Sequence, residues 1–316
     1  MRISFFLFLL LCCSCADINE QDDKKEPIRP EGVELMILGI AQDAGFPQTA
    51  CQRPCCENLL ENGKKGALVT CLGLVNHKDK RQYMFEASPD FPSQLASLNA
   101  RSGLTDNLCD GIFITHAHMG HYTGLMYLGR ESVGSSAVPV YSMPRLANYL
   151  SANGPWSQLV GLNNIELRGL KSDSLIQLDP SIKVIPLEVP HRDEFSETVG
   201  YKIIGPEKSA LFIPDIDKWS KWDLDIKEQV SQVDFAFLDA TFYRNGEIWG
   251  RDMSQIPHPF VEETINLFDA VPFEEKQKIF FIHLNHTNPL LSSEEAKLEV
   301  LNKGFNIAEE GMLFSL

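Results

Sequence analysis

Four things are missing or scarce in this chain of 316 residues, and each narrows what it can be. Long apolar runs are absent: the most hydrophobic stretch, around residues 5–11, is too short to span a bilayer as a stable helix. Positive charge is scarce, with 28 Lys and Arg against 43 Asp and Glu and a formal net charge of -15. Such a surface repels phosphate backbones and argues against nucleic acid as a bulk partner. There is no internal sequence repeat, and no linker-like stretch after residue 32. An even set of cysteines is also missing. Beyond residue 15 there are Cys51, Cys55, Cys56, Cys71 and Cys109, an odd number with three clustered, which speaks against a plain disulfide framework.

What is present begins with an address. Arg2, the apolar run, and then Cys12, Cys13 and Cys15 resemble a bacterial lipoprotein signal over residues 1–15. In that reading Cys15 is acylated, with Cys12, Cys13 or an ordinary cleaved signal as alternatives. Residues 16–32 are polar and lack aromatics, so they read as a flexible tether. The expectation is an exported, membrane-anchored lipoprotein on the periplasmic or cell-surface face, touching the membrane only through Cys15.

From residue 33 onward, strands and helices alternate. The hydrophobic 44% of the chain is enough for a sizeable core. Apolar segments at 33–40, 67–75, 82–87, 111–115, 138–142, 182–189, 198–204, 210–213, 235–238 and 278–282 read as strands, with a short strand closing the chain. Helical patterning covers 88–100, 144–152, 218–230, 259–270 and 292–302, with Ser88 as a cap for the first. This mixture predicts a single α/β domain over 33–316.

Of the eight histidines, seven fall at strand ends or in the loops after strands. Three lie in Thr-His-Ala-His-Met-Gly-His at 115–121, directly after an apolar strand. A chain turning at a strand end can converge such side chains, and neutral imidazole is a ligand for zinc, iron or copper. His191, His258, His283 and His286 follow later strands, whereas His77 sits on a charged turn and reads as surface. Asp215 ends a strand; it is either a carboxylate ligand or a helix N-cap.

These motifs resemble the metallo-β-lactamase superfamily across residues 33–316. They are the histidine run, Pro190-His191, Asp215, and Phe-Ile-His-Leu-Asn-His-Thr-Asn-Pro at 281–289. Leu38 to Gln48 followed by cysteines, Phe85 to Asp90, and the ending from Gly304 to Met312 are similar to two subgroups, pyrroloquinoline quinone biosynthesis protein B and the phosphodiesterase of the carbon–phosphorus lyase pathway. The resemblance implies an αββα sandwich with metals at one edge. It implies a first ion on His116, His118 and His191, with Asp215 bridging to a second on His121 and His283. Glu86 would orient a ligand histidine, and His258 would donate a proton to a leaving group, with Asp215 the other catalytic residue. Cys51, Cys55 and Cys56 with His286 would form a structural zinc site. The spacing departs from the family's C-x-C-x-x-C, so Cys55 has to stand in for the middle cysteine; a disulfide to Cys71 or Cys109 is the alternative.

The family pattern H-x-H-x-D-H is broken by Gly120, which can neither bind a metal nor orient water. Asp43 is the one candidate replacement. The expected function is a metal-dependent hydrolase of a small ester, a phosphodiester first, with a metal-bound hydroxide as nucleophile. Zinc is the expected ion, with manganese or iron as alternatives and the second ion conditional. Two other readings stay open: a non-haem iron oxygenase, and a catalytically impaired metal-binding protein of the same fold.

Overall fold

The computed structural model describes residues 32–61, 66–104 and 108–316; the signal and tether segments lie outside the described residues. Two sheets of seven strands each are built from β1 (Val33–Gly39), β2 (Cys71–Asn76), β3 (Arg81–Phe85), β4 (Gly111–Phe113), β5 (Val138–Ser142), β6 (Ile165–Gly169), β7 (Ile176–Gln177), β8 (Lys183–Glu188), β9 (Val199–Ile204), β10 (Ser209–Ile213), β11 (Phe235–Asp239), β12 (Ile279–Ile282), β13 (Asn306–Ile307) and β14 (Leu313–Ser315). The first sheet runs β14-β1-β2-β3-β4-β5-β6, the second β13-β12-β11-β10-β9-β8-β7. Each follows one rule: three antiparallel pairings, then three parallel ones. The two sheets thus share a topology that leaves no repeat in the sequence.

Alternation along the strands explains the layering, because successive side chains point to opposite faces. In β4, Phe113 enters the layer between the sheets, while Ile112 packs outward under the helices of the first sheet. In β11, Phe237 faces inward, and Ala236 and Leu238 face the helices of the second sheet. The result is the αββα sandwich. Its inter-sheet layer is strongly aromatic. Phe113 stacks on Tyr141 at 4.3 Å and on Phe85 at 4.9 Å, and meets the edge of Tyr201 at 5.5 Å.

Several expected elements shift for local reasons. The second expected strand begins at Cys71, because Ala67 and Val69 make only isolated bridges, to Phe46 and Ala41. The first long helix is Phe91–Ser102; Ser88 does not cap it but takes a hydrogen bond from the Asp90 N–H and donates to Gln94. The helix expected over 218–230 breaks into a 3₁₀ turn, Trp219–Lys221, and a helix, Ile226–Ser231. Both tryptophans there turn inward, Trp219 Nε1 donating to Thr264 Oγ1 (2.9 Å) and Trp222 Nε1 to the Glu188 carbonyl (2.8 Å), and Asp225 caps the restart.

β1, β3 and β4 run parallel to one another, as do β8, β10, β11 and β12. Their C-terminal ends share one edge of the sandwich, and every histidine and carboxylate of the candidate centre closes or follows one of these ends. Tyr201 donates its hydroxyl to the Ile114 carbonyl (2.6 Å), and Val199 N–H donates to Thr115 O (3.1 Å), tying the histidine loop of one sheet to the other.

Truncating Phe113 removes the ring at the centre of this layer. Phe113→Ala is expected to cost about 3–5 kcal/mol in denaturant unfolding. A loss under about 1 kcal/mol would show that the stack contributes little.

Candidate metal centre

The chain leaves β4 at Phe113 and turns, so that His116 and His118, two apart, meet: His116 Nε2 lies 2.7 Å from His118 Nδ1. A short helix, Met119–Tyr122, then carries His121 inward. From the second sheet, His191 follows β8, Asp215 follows β10 and His283 follows β12. Asp215 is almost completely buried. Its Oδ1 lies 3.3 Å from His191 Nε2, and its Oδ2 lies 3.4 Å from His116 Nε2 and 3.6 Å from His121 Nε2. The predicted ligands therefore come together as two groups that share Asp215: His116, His118 and His191 on one side, His121 and His283 on the other. Asp43 completes the second group, 2.9 Å from His121 Nε2 and 3.3 Å from His283 Nε2.

The donor set suits a metal ion on two grounds. A tetrahedral ion with bonds of about 2.0–2.1 Å sets its ligand atoms roughly 3.3 Å apart, close to most of these separations. Two of the facing atoms, His191 Nε2 and Asp215 Oδ1, are also buried without a hydrogen bond, 3.3 Å apart. Lone pairs that approach within about 3.3 Å without a shared proton need a cation between them, since an unsatisfied buried polar group is costly. The rings and carboxylates also set one another's charge. Burial disfavours a charged Asp215, but His191, His258 and His283 outweigh it and hold its pKa well below the usual carboxylate value. Burial pushes His116 well below the usual histidine pKa, with the nearby His121 adding to it, so His116 stays neutral as a metal ligand must.

Two hydroxyls fix the rings. Thr115 Oγ1 donates to Glu86 Oε1 (2.6 Å) and lies 2.9 Å from His116 Nδ1, so it accepts that ring's proton and leaves Nε2 as the ligand atom. Thr241 Oγ1 does the same in the other sheet, donating to Asp239 Oδ1 (2.7 Å) and taking the Nδ1 proton of His283 (2.8 Å). Such partners set the tautomer and orientation of a ligand histidine. Glu86, fully buried and at positive φ, also lies 3.1 Å from His121 Nδ1, beside the ring it was expected to orient. His283 too has positive φ, a strained position of the kind that gathers at functional sites.

His258, predicted as a proton donor, sits in the loop after β11 with Nδ1 2.8 Å from Asp239 Oδ2 and 3.1 Å from Asp215 Oδ1. Burial disfavours its charge, but the two carboxylates outweigh that and raise its pKa well above 6.5. Asp239, Thr115 and Thr241 went unrecognised in the sequence. Only Asp239 carried a signal, a carboxylate closing an apolar strand as Asp215 nearly does. His77, read as surface, packs half-buried with Nε2 3.7 Å from Glu34, away from the site.

A second cluster lies beside the first. Cys51 and Cys55 sulfurs are 4.0 Å apart, Cys55 and Cys56 3.9 Å, and His286 Nδ1 lies 3.4 Å from Cys56 and 3.6 Å from Cys55. Zinc–sulfur bonds of about 2.3 Å put tetrahedral sulfurs roughly 3.8 Å apart, so these four residues suit one structural ion. The expected disulfide alternative fails: all five described cysteines are free, and Cys71 and Cys109 are buried in the core beneath the first sheet.

A cleft of about 720 Å³ adjoins the site through Thr241 and His258; Phe242 and three arginines, Arg53, Arg192 and Arg251, also line it, as do Cys51 and His286 of the cysteine cluster. With net charge -15 overall, the chain has gathered positive charge beside its candidate centre.

A family model for the beta-lactamase superfamily domain matches residues 81–284. The chain belongs to the beta-lactamase superfamily. Curated relatives include coenzyme PQQ synthesis protein B of Gluconobacter oxydans, 26% identical over 90% of this chain and 99% of that protein, and that of Methylobacillus flagellatus, 25% identical over 89% and 99%. Among solved structures, zinc-bound PqqB from Methylobacterium extorquens superposes with a TM-score of 0.74 at 20% identity, covering 90% of this chain and all of that one. A diphosphatase of the PhnP family superposes at 0.63, also 20% identical, over 90% and 97%. These likenesses agree in the fold.

Removing one sulfur of the cysteine cluster should release the ion held there. Cys56→Ala is expected to lose one zinc equivalent per chain by elemental analysis and to unfold at lower temperature. Unchanged zinc content would exclude the four-residue site.

Proposed function

We propose that the protein is a metal-dependent hydrolase of a small anionic ester, a phosphodiester first. The observation that carries this reading is the pairing of two donor groups about Asp215 with a cleft holding Arg53, Arg192 and Arg251. A bound ion would lower the pKa of a water toward about 7 and so supply a nucleophile at neutral pH. The chain's own residues do the rest. His116, His118, His191 and Asp215 would hold the first ion; Thr115 and Thr241 keep the rings in the ligating tautomer. The arginines attract and orient the anionic substrate, guanidinium being suited to phosphate oxygens. His258, kept protonated by Asp239 and Asp215, lines the cleft and donates a proton to the leaving oxygen. Zinc is the proposed ion, in keeping with the zinc-bound PqqB neighbour, and manganese or iron could replace it.

A non-haem iron oxygenase is the second reading, supported by the nearly full-length similarity to coenzyme PQQ synthesis protein B. That chemistry favours two histidines and one carboxylate with open positions. Here a third ring, His191, joins His116, His118 and Asp215, which suits zinc better. A catalytically impaired protein is the least supported, since His191, Asp215, His258 and His283 all converge.

Purified protein loaded with zinc or manganese is expected to hydrolyse bis-(p-nitrophenyl) phosphate, and His116→Ala to abolish this. Lack of turnover on any linear or cyclic phosphodiester with zinc, manganese or iron would overturn the hydrolase reading. Oxygen uptake by the iron-loaded form would support the oxygenase instead.

We further propose that the chain is exported and anchored at the membrane through an acylated Cys15. Expression in a bacterium that processes lipoproteins should give membrane-bound protein. Cys15→Ala should move it to the soluble fraction, and a variant that stays with the membrane would reject this anchor.

A further inference from the structure

The gap at Gly120 has a structural counterpart elsewhere in the chain. A Cβ placed on Gly120 would lie 2.5 Å from Asp43 Cα, 2.6 Å from Asp43 Oδ1 and 2.7 Å from Asp43 Cβ. No side chain fits there, because the loop after β1 already occupies the space. Gly120 is not among the glycines with positive φ, so room, not backbone conformation, calls for glycine at this position. The intruding group is a carboxylate, and its Oδ1 lies 2.9 Å from His121 Nε2 and 3.3 Å from His283 Nε2.

We propose that Asp43 is a metal ligand that takes over the role of the aspartate missing at position 120, so that the second ion is held by Asp43, His121, Asp215 and His283. The family's aspartate would ride on the same short helix as His121. Asp43 comes instead from a different strand end. Its loop is held in register by main-chain bonds: Gln42 N–H to Leu284 O (2.9 Å), Leu284 N–H to Ile40 O (2.8 Å) and Thr70 N–H to Ala41 O (2.8 Å). Asp43 and His283 are therefore delivered by two segments that are hydrogen-bonded to each other. The same two segments carry the other cluster, Cys51, Cys55 and Cys56 on one and His286 on the other. An ion on the cysteines would clamp the loop that presents Asp43.

The proposal rests on the hydrolase reading only for its catalytic meaning, and its test counts ions instead of turnover. Metal content is measured by elemental analysis after dialysis against graded chelator, for wild type, Asp43→Ala, Asp43→Asn and Gly120→Ala. Asp43→Ala should lose one ion per chain or hold it at least on the order of tenfold more weakly. Gly120→Ala should lose the same ion although it removes no donor atom, because its methyl displaces Asp43. Asp43→Asn, nearly isosteric, controls for folding and should still weaken the ion. Cobalt substitution gives a second readout: the thiolate-to-cobalt absorption of the cysteine cluster should persist in Asp43→Asn while the second histidine-site signal falls. Wild-type ion content and chelator sensitivity in Asp43→Ala and Asp43→Asn would overturn the proposal, whether or not any ester is hydrolysed.

Discussion

A carboxylate with almost no exposure cannot remain charged in a protein interior unless positive charge or strong donors surround it, and Asp215 is such a group. It lies between His116 and His121 on one oxygen and His191 and His258 on the other. Its Oδ1, 3.3 Å from His191 Nε2 and 3.1 Å from His258 Nδ1, is buried without a hydrogen-bond partner. The architecture around it follows from this need. Strands from both sheets must end at the same edge, and they do so because each sheet contributes a set of parallel strands whose C-terminal ends coincide there. Asp215 lies where the two donor groups share an atom pair, so loss of its charge would loosen both at once.

The duplicated topology gives this centre a near-symmetry that the sequence hides. In the first sheet, Glu86 holds Thr115, which holds His116; in the second, Asp239 holds Thr241, which holds His283. Each chain of bonds ends with an imidazole whose Nε2 faces the centre. A threonine hydroxyl has one proton and two lone pairs. Giving the proton to a carboxylate leaves it able only to accept from the ring, so the tautomer is dictated by the carboxylate two bonds away. The sheets differ in what closes the site: the first contributes a compact histidine run, the second a spread of single residues on four strand ends.

Most of the fold and of the histidine constellation was legible because these features are local. An apolar strand stopping at clustered histidines, or a lone aspartate ending a strand, needs no tertiary knowledge to be noticed. The strands β5, β8 and β9 were found nearly to the residue for the same reason. What escaped was of three kinds. β6 and β7 lie at sheet edges with half-exposed side chains, so their patterns are weak. The run 218–230 reads as helix, yet two tryptophans three residues apart both had to reach buried partners, and the helix gave way. The threonine relays and the arginine cleft depend on contacts between residues far apart in the chain, which no window of sequence displays.

Gly120 shows most clearly how a sequence departure can mislead when it is read alone. A glycine where a family carries a ligand suggests loss, because glycine has no donor atom. Steric reasoning reverses the inference: the position is glycine because a carboxylate from another element fills the volume its side chain would need. Loss of a donor at one position and gain at another are then one change, since Asp43 could not approach while a side chain remained at 120. A residue that only decays is under no such constraint; its neighbours would have no reason to occupy the space with the same chemical group pointed at the same two rings. The exchange moves the carboxylate from a short helix onto a loop, and so makes the second ion depend on how firmly that loop is held. The cysteine cluster at the far end of the loop and the main-chain bonds to the His283 segment supply that hold from both sides.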